Sequence, residues 1–133
     1  MYCVHIMYPR KPGSDFDYDH YFRTHLTMGL GLFRKHMGFL PKQVFVQKAC
    51  YGPDRTEASA DYHAICTLMF ESKADADKFI ELFEIDEAAN LLRADWPKYT
   101  EMDPRVVVGE VIETDVERFA EKGQSVIEEA LAG

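Results

Sequence analysis

The hydrophobic pattern of the chain switches between the two-residue period of a strand and the 3.6-residue period of a helix. Residues 2–8 are rich in β-branched and aromatic side chains and stop at Pro9, which predicts a first strand. Lys11-Pro12-Gly13-Ser14 is a loop, and Asp15 or Asp17 can cap the helix that follows. Tyr18, Tyr21, Phe22, His25, Gly29, Leu32, Phe33 and His36 recur at helical spacing, with a break or kink expected at Gly29 and Gly31. Gly38 and Pro41 end that helix. Strands are expected over 43–50, 62–70 and 105–112. Ser72-Lys73-Ala74-Asp75 resembles a capping box opening a helix through Phe79, Ile80 and Phe83, which resumes over 86–94. Trp96-Pro97-Lys98-Tyr99-Thr100 is an ordered loop. Thr114-Asp115-Val116-Glu117 is a second capping box, opening a last helix.

The order is β-α-β-β-α-β plus a C-terminal helix, an α+β ferredoxin-like pattern with an antiparallel sheet. Two units follow, a domain over 1–113 and a helical extension over 114–133. Such a sheet carries helices on one face only, so the other face should alternate toward polar residues. It does not. Cys3, His5 and Met7 oppose Tyr2, Val4, Ile6 and Tyr8, and His63, Ile65, Thr67 and Met69 oppose Ala64, Cys66, Leu68 and Phe70. Both faces must be covered, and a second copy of the sheet is the simplest cover, so a homodimer is expected. The competing expectation is a monomer whose C-terminal helix folds back over the open face.

Composition narrows the function. A length of 133 residues suits one domain, and the net charge of −8 argues against a nucleic-acid partner. The charge is uneven: residues 1–55 carry eight Lys/Arg against four Asp/Glu, and the rest seven against nineteen. That reads as a solvated acidic surface on the later helices. Three cysteines, Cys3, Cys50 and Cys66, make a poor disulfide framework. The start reaches Pro9-Arg10-Lys11 too soon for a signal peptide, and no apolar run is long enough to span a membrane. A cytoplasmic protein with reduced thiols is expected.

Candidate chemistry rests on imidazoles. His5 and His63 sit mid-strand among apolar residues, on the two strands that are central in this topology, and their phases allow a common face. Burial favours the neutral imidazole, which suits a general base. The alternative is a pair of core histidines, each bonded to a tyrosine or a carbonyl. If His63 faces the helices, Cys66 faces the dimer core as an inert thiol, while Cys3 shares the phase of His5 and lines the pocket. His25 lies on the apolar face of the first helix. Tyr21 is the candidate hydroxyl, and Asp17 ties the helix start. His20 is expected to be exposed and His36 structural or near the surface. Trp96 and Tyr99 form either core or a lid over a flat ligand. Arg23 and Arg105 are carboxylate binders only if they are not simply solvated.

Tyr8-Pro9, Phe16-Asp17, Tyr21, Thr24-His25, Tyr62-His63-Ala64, Pro97-Lys98-Tyr99-Thr100 and the run from Pro104 to Val111 form an ordered set. The set resembles the EthD family, a branch of the dimeric α+β barrel superfamily. Two features depart from that pattern. His25-Leu26-Thr27-Met28 lacks the proline that commonly follows the family's helix histidine, and the helix after Glu113 lies beyond the typical domain. The resemblance implies a homodimeric barrel with a pocket between each sheet and its own helices, and a role in catabolism. It implies His25 as the helix histidine, and a cyclase branch of the superfamily carries histidines on strands matching those of His5 and His63.

Together these readings predict cofactor-independent acid/base chemistry of isomerase, cyclase or lyase type. The substrate would be a small apolar aromatic, enol or lactone-like molecule, with His5, His25, His63 and Tyr21 at the site. The alternatives are a non-catalytic small-ligand-binding accessory protein of an oxygenase pathway and a cofactor-free monooxygenase. No GxGxxG, P-loop, GxSxG or HExxH pattern is present. No nucleotide cofactor or metal is therefore expected, with histidine ligation of a metal or haem as the remaining alternative.

Overall fold

The computed structural model describes residues 1–133. Four strands, β1 (Tyr2–Pro9), β2 (Gln43–Lys48), β3 (Tyr62–Phe70) and β4 (Arg105–Glu110), form one antiparallel sheet in the order β2-β3-β1-β4. The two longest strands are central, as the ferredoxin-like order requires. The helices are α1 (Tyr18–His20), α2 (Thr27–Met37), α3 (Lys73–Leu82), α4 (Asp86–Asp95) and α5 (Val116–Ala132). Between α1 and α2 the chain stays helical, but Tyr21–Leu26 is a π-helix.

Local chemistry explains the boundaries. Asp17 accepts the backbone N–H of His20 at 3.0 Å, and Ser72 accepts that of Asp75 at 3.1 Å. Each satisfies a donor that a helix start leaves unpaired. The last helix begins one residue later than its capping pattern suggests, because Asp115 rather than Thr114 is the cap and accepts from the N–H of Arg118. Gly38 ends α2 with φ +82°, a conformation that glycine adopts without a Cβ clash. The expected break at Gly29 and Gly31 does not occur. Both lie inside regular α2, and the irregularity falls earlier, in the π-helical segment.

Register assigns the faces. Ile6 pairs with Cys66 and Val106, and Val4 with Leu68 and Val108. This even-numbered set faces the helices, and its Val4, Cys66 and Leu68 form the core with Phe33, Phe70, Leu82 and Leu92. His5 pairs with Thr67 and Val107 on the odd-numbered, open face. Cys66, Leu68 and Phe70 therefore pack under the helices, not in a dimer core as the sequence suggested. The open face keeps apolar side chains, with Phe45 and Val107 each more than half exposed. The C-terminal helix does not cover it: α5 has no buried residue at all.

Truncating Phe70, which is 1% exposed, should cost about 3–5 kcal/mol of unfolding free energy. Urea denaturation of Phe70→Ala against the parent measures this. A loss below about 1 kcal/mol would place Phe70 outside the core.

Candidate active site

The site is built where the first helix crosses the helix-facing side of the sheet. In an α-helix, residues five apart point about 140° away from each other. His20 and His25 are five apart. The π-helical turn, whose hydrogen bonds run from i to i+5, brings them onto one side. Both then reach the carboxylate of Asp95 at the end of α4. His20 Nε2 lies 2.9 Å from Oδ1, and His25 Nδ1 lies 3.0 Å from Oδ2.

Asp95 is 4% exposed. Burial pushes its pKa up, but hydrogen bonds from His20 and His25 outweigh this and hold it below the ordinary carboxylate value. An ionised carboxylate only accepts. His25 must therefore carry its proton on Nδ1 and His20 on Nε2. Neutral His25 is left with a lone pair on Nε2, which makes no hydrogen bond to the protein. Burial lowers the pKa of His25 below its usual 6.5, with Asp95 opposing the shift.

His25 lines a cavity of about 220 Å³ between the sheet and the helices. Fourteen of its nineteen lining residues are hydrophobic, so its few polar atoms set what it can do. Tyr8, Tyr21 and Cys66 form its inner end, each 1% exposed or less. The Tyr99 hydroxyl donates to that of Tyr8 at 3.2 Å, and the Tyr99 ring packs on His25 with centroids 4.7 Å apart. Burial drives Tyr8, Tyr21, Tyr99 and Cys66 all upward in pKa, so they stay protonated and act as neutral donors. Trp96 lines the cavity and packs against the aromatic cluster of Tyr8, Phe16, Tyr21 and Tyr99, whereas Tyr99 itself does not line it.

The expected residues divide. His25 and Tyr21 reach the cavity; His5 and His63 do not. His5 sits on the open face, with Nδ1 3.0 Å from the Thr67 hydroxyl. His63 is four residues along β3 from Thr67, about 13 Å at strand rise, so the two histidines are not neighbours. The loop before α1 closes over His63. Its Nε2 lies 2.9 Å from Ser14 Oγ, whose own proton goes to the Lys11 carbonyl. That bond fixes the proton on His63 Nε2 and makes His63 a donor that pins the loop. Cys3 shares the open face, and Cys66 lines the cavity, the reverse of the expected placement. Arg23 and Arg105 stay outside the cavity, while Arg93 lines it.

Asp95, His20, Tyr8 and Arg93 were missed. His20 is half-buried rather than exposed, held by Asp95. The available signal was the spacing His20-x4-His25, which makes sense on one face only if the helix widens. Although two imidazoles and a carboxylate meet here, no group of three His, Cys, Asp or Glu side chains is arranged to hold a metal ion.

The fold has known counterparts. No protein-family model matches the sequence, and no curated protein matches it. An EthD-like protein from Ralstonia eutropha JMP134 superposes with a TM-score of 0.66 at 22% identity, covering 87% of this chain and 96% of that one. An ethyl tert-butyl ether D (EthD) family protein from Bacillus halodurans C-125 gives 0.54 at 18% identity, covering 84% and 99%. The chain thus has the α+β fold of the EthD-like proteins.

In Asp95→Asn the negative charge that supports protonation of His25 is removed. Its titration, followed by NMR of the imidazole resonances, should move to lower pH than in the parent. An unchanged midpoint would mean that the carboxylate does not act on His25.

Proposed function

We propose that this protein is a small acid/base enzyme of isomerase, cyclase or lyase type, working without an organic cofactor on an apolar aromatic, enol or lactone-like molecule. One observation carries the reading: a buried carboxylate fixes the tautomer of His25, a residue that lines an apolar cavity, and leaves its Nε2 lone pair without a protein partner. His25 acts as the base that takes a proton from the substrate. Asp95 orients the ring and stabilises the imidazolium that forms. The Tyr8 and Tyr21 hydroxyls stand at the inner end of the same cavity as neutral donors to the oxygen on which charge develops. The apolar walls exclude water, which strengthens each of these interactions. His5 and His63 have no part in this step.

The test uses 2-coumaranone, an aromatic lactone with an enolisable methylene, and follows hydrogen–deuterium exchange at that carbon by NMR. The protein should accelerate exchange at least about a hundredfold over buffer, within the usual reach of a positioned base. His25→Gln should lose the acceleration, while His5→Ala and His63→Ala keep it. Exchange at the buffer rate with the parent protein, or full acceleration in His25→Gln, refutes the proposal. Only neutral His25 is a base, and its pKa lies below 6.5. Acceleration should therefore hold above that value and fall with acid, with its midpoint below 6.5.

The same reading includes a homodimer joined through the open sheet face. Its support is the exposure of Phe45 and Val107 on the sheet face opposite the helices, and the failure of α5 to cover them. Sedimentation should give about twice the 15.3 kDa chain mass. The double variant Phe45→Glu/Val107→Glu should sediment as a monomer. A parent protein that is monomeric at high micromolar concentration rejects this assembly.

A further inference from the structure

The polar residues that line the cavity differ in burial and in charge. Its inner end holds the uncharged hydroxyls of Tyr8 and Tyr21 and the His25 imidazole. Arg93, near the end of α4, is the one lining residue with a permanent charge, in a protein whose net charge is −8. It is solvent-exposed, which puts it on the side of the cavity that opens to solvent. It makes no ion pair with any carboxylate of the chain. Its helical neighbours at three and four residues are Ala89, Asn90, Trp96 and Pro97, none of them acidic. The nearest carboxylate in sequence, Asp95, is already taken by two imidazoles.

From this asymmetry we infer that the ligand is an apolar acid: a compact hydrophobic body whose carboxylate pairs with Arg93 at the mouth while its reacting end lies at Tyr8, Tyr21 and His25. The inference deepens the acid/base reading and rests on it for the reacting end. The direction follows from desolvation. A free carboxylate carried to the inner end would lose its water among aromatic and aliphatic walls, where the nearest groups are neutral. At the mouth it keeps part of its hydration and gains a guanidinium that can bind two oxygens at once. The apolar body between the two ends replaces water along the aliphatic walls. Arg93 thereby fixes which end of the molecule enters first.

Binding can be measured without turnover, because Trp96 is the single tryptophan of the chain and lines the cavity. The probes are 4-tert-butylbenzoate and its neutral amide, titrated against tryptophan fluorescence. The parent protein should bind the carboxylate at least about tenfold more tightly than the amide, as a charge-assisted pair predicts. The preference should shrink at high salt. Arg93→Gln should bring the two probes to within about twofold by weakening the carboxylate alone, and Arg93→Lys should restore part of the preference. Equal affinities in the parent, a preference that survives Arg93→Gln, or no fluorescence response to either probe would each overturn the inference. The exchange experiment fails separately. If His25→Gln leaves lactone exchange unchanged while the carboxylate preference depends on Arg93, the acid/base reading falls and the ligand class stands.

Discussion

A carboxylate buried to the extent of Asp95 needs hydrogen-bond donors, and much of the site follows from where this chain finds them. Both donors are imidazoles of the first helix, five residues apart. A regular helix cannot present two such residues to one carboxylate, so the π-helical turn and the double hydrogen bond belong together. The bond ties the start of the first helix to the end of α4 and sets the wall behind which Tyr99 packs. It also fixes the proton on His25. Folding and chemistry here share one constraint, because the group that satisfies the carboxylate is the group that faces the cavity.

The sheet supplies the rest of the geometry through its phase. With Ile6 and Cys66 paired under the helices, Tyr8 and Tyr21 close the cavity floor and Cys3, His5, Met7, Ile65 and Thr67 turn to the other face, while the register shift at Tyr8 and Pro9 leaves His63 stacked on Phe16. A slip of one residue would exchange the two sets entirely. That places His5 beyond reach of the cavity, and the loop of Lys11–Ser14 takes up His63.

The element order, the helix caps at Asp17 and Ser72 and the stop at Gly38 were legible because each depends on local chemistry that the sequence displays directly. The faces of the sheet were harder, since both are apolar along β1 and β3 and alternation there barely discriminates. The discriminating strand was β2, where Gln43 and Gln47 alternate with Val44 and Val46. Pairing Val46 with Cys66 would have turned Cys66 toward the core. Tyr21 and His25 were found because they sit on the apolar side of a helix. Asp95 and His20 were not, for two reasons. Asp95 ends an acidic helix and looks like one more solvated charge, and His20 falls off the 3.6-residue stripe that the π turn abolishes.

The helix α5 is amphipathic, yet every one of its apolar side chains, from Val116 to Leu131, is open to solvent. An isolated helix of 17 residues is only marginally stable in water, since nucleation costs more than a few turns return. No packing against the domain supports its helicity, so its turns open more readily than those of the helices that lie on the sheet. The chain thus joins a domain whose order is set by its own core to a segment that this core does not hold.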